Sequence, residues 1–202
     1  MATLPELIQA QARKHPERVA LRGADGTLTY RQMWLAAGEL ARQLKDLGLQ
    51  RVGLCGDNSM AWVLADLACL LADVVCVPVP VFFSQGQKNH LTQRAALDAL
   101  LFSDASAPKA AQSLGHGVSL QSLPVFPAPA RVPEETAKIT FTSGSTGTPK
   151  GVCLSASQMT ATTLALQERL QHIELERHLC ILPLATLLEN IEALVLDLPA
   201  RA

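Results

Sequence analysis

Short apolar runs alternate with helix-patterned segments through the middle of the chain, and this alternation limits the fold more than any other feature. Residues 52–55, 74–79 and 99–102 have the length and the apolar content of buried strands, whereas residues 59–71 and 86–96 between them have the pattern of helices. Strands that helices cover on both faces lose the polar alternation of a half-exposed sheet. We therefore expect an α/β fold with a mainly parallel, helix-covered sheet.

Capping signals indicate two helices ahead of this region. Residues 3–6 (Thr-Leu-Pro-Glu) and residues 29–32 (Thr-Tyr-Arg-Gln) each pair a hydroxyl with a Glu or Gln three positions later, which is typical of a helix N-terminus. The first helix is expected to end before His15, because Pro16 disfavours helical geometry in its predecessor. The second helix is expected to present an apolar stripe and to stop at a glycine: Met33, Trp34, Ala37, Leu40, Ala41, Leu44, Leu47 and Gly48.

The chain after residue 102 has a different composition. Residues 103–133 hold five prolines among small residues, so we expect a long surface connection with one or two strands. Residues 138–142 and 151–154 are predicted strands, and the next helix is expected from Ser155 to about Gln171. Residues 178–182 are predicted to form the final strand.

Charge and cysteine usage disfavour several classes of protein. Lys and Arg number 17 against 18 Asp and Glu, so the chain has no basic footprint for nucleic acid. The five cysteines are scattered without a CxxC pair, which predicts reduced thiols. No basic and then apolar segment opens the chain, so we expect a cytoplasmic location, with peripheral membrane contact left open.

Membrane spans and metal sites are not expected either. The most apolar stretch, residues 61–83, is interrupted by Asp66, Asp73, Pro78 and Pro80, whereas a spanning helix needs about 20 nearly uninterrupted apolar residues. The histidines show none of the spacings of metal ligands, so no metal site is predicted within this chain.

One loop carries the residues best suited to chemistry. Residues 143–150 supply four hydroxyls, two glycines and Lys150. Glycines let backbone N–H groups turn toward one anion, hydroxyls add donors, and the lysine adds a positive charge, so the loop suits a polyphosphate. It is not a Walker A loop, because Gly151 rather than Ser or Thr follows the lysine. An ordinary Ser/Gly hairpin loop with a solvated lysine is the alternative.

The loop belongs to a longer string, Phe-Thr-Ser-Gly-Ser-Thr-Gly-Thr-Pro-Lys-Gly-Val, from Phe141 to Val152. This string closely resembles the phosphate-loop signature of the adenylate-forming superfamily, which includes acyl-CoA synthetases, luciferases and the adenylation domains of peptide synthetases. Residues 28–30, 74–80 and 182–184 agree with the pattern of that family in the same order. The chain is therefore expected to have the fold of an acyl-CoA synthetase-like, AMP-binding enzyme.

The resemblance also implies how much of such an enzyme is present. It covers residues 4–190, so residues 1–190 are expected to form the N-terminal portion of the AMP-binding large domain, followed by a divergent tail at residues 191–202. The small C-terminal domain is expected to be absent. The adenine, ribose and magnesium motifs of the family would fall beyond residue 202, so this chain alone is expected to be inactive.

The reaction that the resemblance implies is ATP-dependent activation of a carboxylic acid to an acyl-adenylate, with loss of pyrophosphate. The acyl group would then pass to the thiol of CoA or of an acyl carrier protein. Lys150 is implied to be catalytic, because it would neutralise charge on the leaving pyrophosphate. ATP and Mg²⁺ are the implied cofactors, with the magnesium ligand expected beyond residue 202. The residues implied to bind ATP are Thr142, Ser143, Gly144, Ser145, Thr146, Gly147, Thr148 and Lys150.

Residues 182–190, Leu-Pro-Leu-Ala-Thr-Leu-Leu-Glu-Asn, resemble the corresponding motif of long-chain acyl-CoA synthetases, which favours a fatty acid as the substrate. Thr186 stands where those enzymes usually have His, and Glu189 is either a site residue or a helix-surface carboxylate. Both are candidate substrate residues. Two alternatives stay open: an adenylation enzyme that loads a carrier protein, and a catalytically silent fragment that acts as a nucleotide-binding or scaffold module.

Overall fold

The computed structural model describes residues 2–126, 131–142, 148–170, 172, 177–186 and 190. Within those residues the elements follow in the order α1 (Leu4–Lys14), β1 (Val19–Gly23), β2 (Gly26–Thr29), α2 (Tyr30–Asp46), β3 (Arg51–Cys55), α3 (Met60–Ala72), β4 (Val75–Pro78), α4 (Gln85–Ala95), β5 (Ala99–Phe102), β6 (Gln112–Gly115), β7 (Val118–Ser122), β8 (Thr136–Thr142), β9 (Lys150–Ser155) and α5 (Ala156–Leu170). No helix in this part of the chain is long and apolar enough to cross a bilayer. The cysteines, all described, are free thiols.

Seven of the described strands form one mixed sheet, in the order β6-β7-β5-β3-β4-β8-β9. Its centre is parallel, since β3 pairs with β4 and β5, and β4 pairs with β8. Antiparallel pairs lie at both ends, because the connections from β6 to β7 and from β8 to β9 are too short for a crossover. The expected α/β fold is confirmed, with parallel pairing confined to the four central strands.

Both capping boxes start helices as predicted. The Thr3 N–H donates to Glu6 Oε2 over 2.7 Å at the start of α1. At the start of α2, the Thr29 N–H donates to Gln32 Oε1 over 2.9 Å, and the Gln32 N–H donates to Thr29 Oγ1 over 3.3 Å. Gly48 follows α2 with a φ of +66°, a left-handed conformation that glycine adopts without strain.

The alternating region also forms as predicted. The elements β3, α3, β4, α4 and β5 match the five predicted segments to within one residue at each end. The proline-rich stretch after β5 holds two strands, β6 and β7, and the predicted β8, β9 and α5 are present.

Two features of the fold differ from the sequence-based expectation. The β1–β2 hairpin was not among the predicted elements; its tight turn depends on Gly26, which has a φ of +125°. The predicted strand at residues 178–182 is wrong, because these residues pair with no strand in the described part of the chain. Leu179 and Ile181, which a sheet would cover, expose 77% and 78% of their surface.

Two apolar clusters lie on opposite faces of the sheet, and β4 contributes to both because its side chains alternate. The larger cluster packs α1, α2 and α3 and includes Leu4, Ile8, Met33, Leu40, Leu44, Leu54, Trp62 and Cys76. The smaller cluster packs α4 and includes Val77, Val79, Phe83, Leu91, Leu97, Ile139 and Phe141. The strands that carry the predicted phosphate loop are thus anchored in the core.

Candidate functional site

The predicted phosphate loop connects β8 to β9 at an exposed corner of the sheet. Thr142 is the last residue of β8 and Lys150 the first of β9, and the two are register partners across the antiparallel pair. Thr142, Thr148 and Lys150 are all exposed. The other predicted ATP-binding residues, Ser143, Gly144, Ser145, Thr146 and Gly147, lie outside the described residues. The structure therefore places both ends of the loop side by side, with the ammonium of Lys150 open to an approaching anion.

Gly151 lets β9 lie closely against β8. A Cβ at this position would stand 2.9 Å from Ile139 Cγ2 and 3.1 Å from Phe141 Cζ. Contacts that short force the neighbours to shift. Gly151 therefore follows Lys150 for a packing reason, and it fixes the strand that begins with that lysine.

The loop leaves the carboxyl edge of the parallel strands, where the segments after β3 and β5 also meet. The Asp57 N–H donates to Asp104 Oδ2, and Ser103 Oγ donates to the Cys55 carbonyl, both over 3.2 Å. Partial burial opposes ionisation of Asp104, but hydrogen bonds from Ser106 and Asp57 outweigh it, so the pKa of Asp104 lies below its usual value. Burial raises the pKa of the Cys55 thiol to about 12. That thiol is neutral at pH 7 and is not a nucleophile.

Asn58, between β3 and α3, holds the segment that was predicted to be a strand. Its Nδ2 donates to the Leu182 carbonyl over 2.8 Å, and its Oδ1 accepts from the Leu184 N–H over 2.7 Å. One side-chain amide thus satisfies a backbone donor and a backbone acceptor, which a neighbouring strand would otherwise do. The role of Asn58 was not predicted from the sequence, because its partners lie more than 120 residues away.

Thr186, a predicted substrate residue, lies in the turn that follows. Its N–H and its Oγ1 each donate to the Pro183 carbonyl over 2.8 Å, and the side chain is half-buried. The hydroxyl proton is engaged locally, which leaves the oxygen lone pairs as acceptors. Glu189 lies outside the described residues. The role of both residues in binding the acid stays a prediction.

Three buried polar side chains contact one another: Asp66 of α3, Lys138 of β8 and Asn190. Lys138 Nζ donates to Asp66 Oδ2 over 2.7 Å and also to Asn190 Oδ1, and Asn190 Nδ2 donates to Asp66 Oδ2 over 3.1 Å. The side chains of Lys138 and Asp66 expose only 5% and 7% of their surface. From the sequence, Asp66 is only an interruption of the apolar stretch at residues 61–83, and Lys138 is only the first residue of a predicted strand. The signal that could have found them is a single charged residue in each of two core elements, α3 and β8, that contain no other charge.

A cavity of about 800 Å³ lies between the β1–β2 hairpin, the first half of α3 and residues 177–184. This volume is typical of small-molecule sites. Its walls include Arg18, Arg22 and Arg177. Trp62 Nε1 and Asp66 Oδ1 belong to lining residues and have no hydrogen-bond partner in the described part of the chain. None of the described loop residues lines this cavity.

A metal site is not visible among the described side chains. Within residues 2–126, 131–142, 148–170, 172, 177–186 and 190, no group of three or more His, Cys, Asp and Glu could hold a metal ion. The magnesium ligand expected beyond residue 202 stays a prediction.

The sequence profile of the family described as "AMP-binding enzyme" matches residues 8–196, which is most of the chain. The chain belongs to the AMP-binding enzyme family. The match includes both ends of the β8–β9 loop, as well as Leu184 and Asn190, which contact Asn58 and Asp66. The expected resemblance to adenylate-forming enzymes is confirmed.

Relatives and solved structures agree with this family. The chain is 34% identical over 164 residues to nonribosomal peptide synthetase 13 of Aspergillus fumigatus, covering 74% of this chain and 7% of that protein. It is 32% identical over 163 residues to phosphinothricin tripeptide synthetase PhsC of Streptomyces viridochromogenes, covering 74% and 15%. O-succinylbenzoate coenzyme A synthetase from Bacillus subtilis, in complex with ATP and magnesium ion, has the same fold with a TM-score of 0.75 at 23% identity.

These similar proteins are all longer than this chain. That structural match covers 96% of this chain and 55% of the synthetase, and the chain spans only 7% and 15% of the two peptide synthetases. The chain thus corresponds to about half the length of the solved relative. The preference for a long-chain fatty acid rests on residues 182–190 alone and stays a prediction.

Proposed function

We propose that the full-length protein containing this chain activates a carboxylic acid with ATP and then passes the acyl group to a thiol. A carboxylate oxygen bonds to the α-phosphorus of ATP while the bond between that phosphorus and the bridging oxygen breaks, so pyrophosphate leaves and an acyl-adenylate forms. Attack of a thiol on the acyl carbon then releases AMP. The observation that carries the proposal is the β8–β9 loop, whose string resembles a phosphate loop and lies within the matched family region.

The described ends of the loop support this role. Lys150 is exposed beside Thr142, so its ammonium is free to approach the phosphates without displacing a packed neighbour. A positive charge held where pyrophosphate gains negative charge stabilises the transition state more than the bound substrate. The hydroxyls of Thr142 and Thr148, both exposed, would add donors to phosphate oxygens.

Magnesium is proposed to enter with ATP. When bound, Mg²⁺ supplies charge neutralisation across the phosphate oxygens. The described residues contribute a lysine and hydroxyls at the loop and no cluster of metal-ligating side chains. These groups fit a role in binding the phosphates rather than in binding the ion.

The acid and the acceptor thiol are the finer parts of the proposal. A fatty acid is favoured by the resemblance of residues 182–190 to long-chain acyl-CoA synthetases. The names of the sequence relatives, which are peptide synthetases, favour an amino acid and a carrier protein. The experiment must therefore separate the acid classes and the two acceptors.

Exchange of labelled pyrophosphate into ATP tests the proposal. The full-length protein is assayed with fatty acids, aryl acids and amino acids, and thioester formation is then followed with CoA and with carrier protein. We expect exchange that depends on one class of acid. Exchange with none of them, in a protein that binds ATP by calorimetry, would favour the silent nucleotide-binding module. A protein that shows neither exchange nor ATP binding would refute the phosphate-loop assignment.

A further inference from the structure

The two faces of β8 are both buried but have different chemistry. Ile139 and Phe141 pack in the apolar cluster beside α4. Lys138 and Thr140 point to the other face and are also buried, with 4% and 5% exposure. A core strand needs no polar side chain for folding, so the polar face of β8 requires a separate explanation.

Lys138, on that face, forms a buried ion pair with Asp66. Asp66 Oδ2 accepts from Lys138 Nζ and from Asn190 Nδ2, and Asp66 Oδ1 has no partner in the described part of the chain. Lys138 is therefore the cation that offsets the buried carboxylate. An ion pair of this kind is often replaceable by apolar side chains without loss of stability. Stability alone does not account for it.

The three residues join segments that are far apart in the sequence. Asp66 lies in α3, Lys138 lies four residues before the end of β8, and Asn190 closes the segment that resembles the acid-binding motif. The other end of that segment, at Leu184, is held by Asn58 beside the start of α3. Asn58, just before α3, therefore contacts Leu184, and Asp66 within α3 contacts Asn190. Lys138 joins Asp66 to the strand that leads to the predicted phosphate loop.

We propose that Asp66, Lys138 and Asn190 form a positioning network that fixes Asn190, the last residue of the segment that resembles the acid-binding motif, relative to β8, the strand that leads to the predicted phosphate loop. This inference rests on the proposed function, in which that segment and that loop bind the acid and ATP. Hydrogen bonds with fixed lengths and directions hold two segments in one arrangement, whereas apolar contacts allow sliding. Adenylation needs the carboxylate and the α-phosphorus in reacting distance, so a small displacement lowers the rate without lowering affinity equally.

The main test replaces the ion pair in the full-length protein with the apolar pair Asp66→Leu and Lys138→Met. Neither new side chain carries a charge, but the buried Asn190 amide loses both of these partners, so the melting temperature is expected to fall by several degrees while the protein stays folded. The kcat of pyrophosphate exchange is expected to fall by about 10- to 100-fold, with KM for ATP and for the acid changed by less than about threefold. Wild-type kcat in a folded double variant would overturn the proposal.

Asn190→Ala is the second variant, because it leaves the Lys138–Asp66 pair in place. It is expected to lower kcat with the same small change in KM, and an unchanged kcat would overturn the proposal even if the double variant failed to fold. Thr163→Val is the matched control: Thr163 is fully buried in α5, its Oγ1 has no partner in the described chain, and the change keeps its shape. Its kcat is expected to match wild type.

The outcomes also separate this proposal from the proposed function. An active wild-type protein whose network variants are equally active would refute the network alone. If the wild-type protein shows no pyrophosphate exchange with any of the acids tested, the proposed function is refuted, and the positioning role fails with it.

Discussion

Residues 51–102 and residues 177–190 both contain short apolar segments, yet they are held by different means. In the first region, β3 pairs in parallel with β4 and β5 through backbone hydrogen bonds, and helices cover the strands. In the second region, the backbone is held by the side chain of Asn58, and Asn190 is held by Asp66 and Lys138. The apolar pattern predicts the first kind of structure, because the strands that pair with β3 are also short apolar runs in the sequence.

The difference also separates stability from positioning. When a side chain of the first region is shortened, the loss of stability is graded, because many weak apolar contacts contribute to it. The second region depends on a few polar side chains, so the loss of one of them leaves its partners without a hydrogen bond. Substitutions in the two regions should therefore differ in size and in what they change.

Lys138→Met is expected to have the largest effect on stability. It leaves the Asp66 carboxylate buried without its cation, which should lower the free energy of unfolding by about 3–5 kcal/mol. Urea denaturation followed by tryptophan fluorescence measures the change. Adding Asp66→Leu should restore most of the loss, because it removes the stranded charge. If Lys138→Met alone is as stable as wild type, the Asp66 carboxylate does not depend on Lys138 for its stability in the folded protein.

Leu54→Ala probes the apolar region. Leu54 is fully buried in β3, so the cavity left behind should lower the free energy of unfolding by about 3 kcal/mol. Leu35→Ala in α2 is the control, since Leu35 is 58% exposed and its loss should change stability by no more than about 0.5 kcal/mol. Equal effects in the same denaturation assay would contradict the assigned core.

Asn58→Ala should have a smaller and local effect. The Leu184 N–H and the Leu182 carbonyl lose their partner, which should lower the free energy of unfolding by about 1–2 kcal/mol. Amide hydrogen exchange at Leu184 should become faster. Asn89→Ala, which removes only an exposed contact to Gln85, should leave that amide unchanged. Exchange at Leu184 that stays slow in the Asn58 variant would show that the hydrogen bonds from Asn58 are not needed to hold this segment.

Ionisation of the Cys55 thiol should have the smallest effect on stability near neutral pH. Burial raises the pKa of its thiol from 9.0 to about 12, so the folded state favours the neutral thiol. The resulting stability is present below pH 9 and is lost as the pH rises toward 12. At pH 8 the thiolate population should be about a thousandfold lower than in the unfolded chain. Alkylation followed by peptide mass spectrometry checks this, and equal labelling rates with and without urea would contradict it.

The sequence predicts the parts of the fold that depend on local signals. The capping boxes place α1 and α2, and the alternation places β3 to β5, because hydrogen bonding and burial there follow from neighbouring residues. Residues 178–182 show the opposite case: their apolar character is typical of a strand, but no described strand lies beside them to complete the pairing. The β1–β2 hairpin was missed although Asp25 and Gly26 are typical turn residues.

The candidate site divides in the same way. The phosphate loop is visible in the sequence because its hydroxyls, glycines and Lys150 are consecutive. Asn58 and the Lys138–Asp66 pair are not, since their contacts join residues 72 to 126 positions apart. No local sequence pattern predicts such a contact, because only the tertiary fold brings the two charges together.

The most direct test of the account is the pyrophosphate exchange of Lys150→Ala in the full-length protein, with thioester formation measured separately. Lys109→Ala is the control, because Lys109 is also an exposed loop lysine but lies outside the string that resembles the phosphate loop. If Lys150 stabilises the leaving pyrophosphate, its loss should lower the kcat of adenylation by about 10- to 1,000-fold, with little change in acid binding. Lys109→Ala should retain wild-type exchange. An adenylation rate that Lys150→Ala leaves unchanged would contradict the assignment of this loop to ATP.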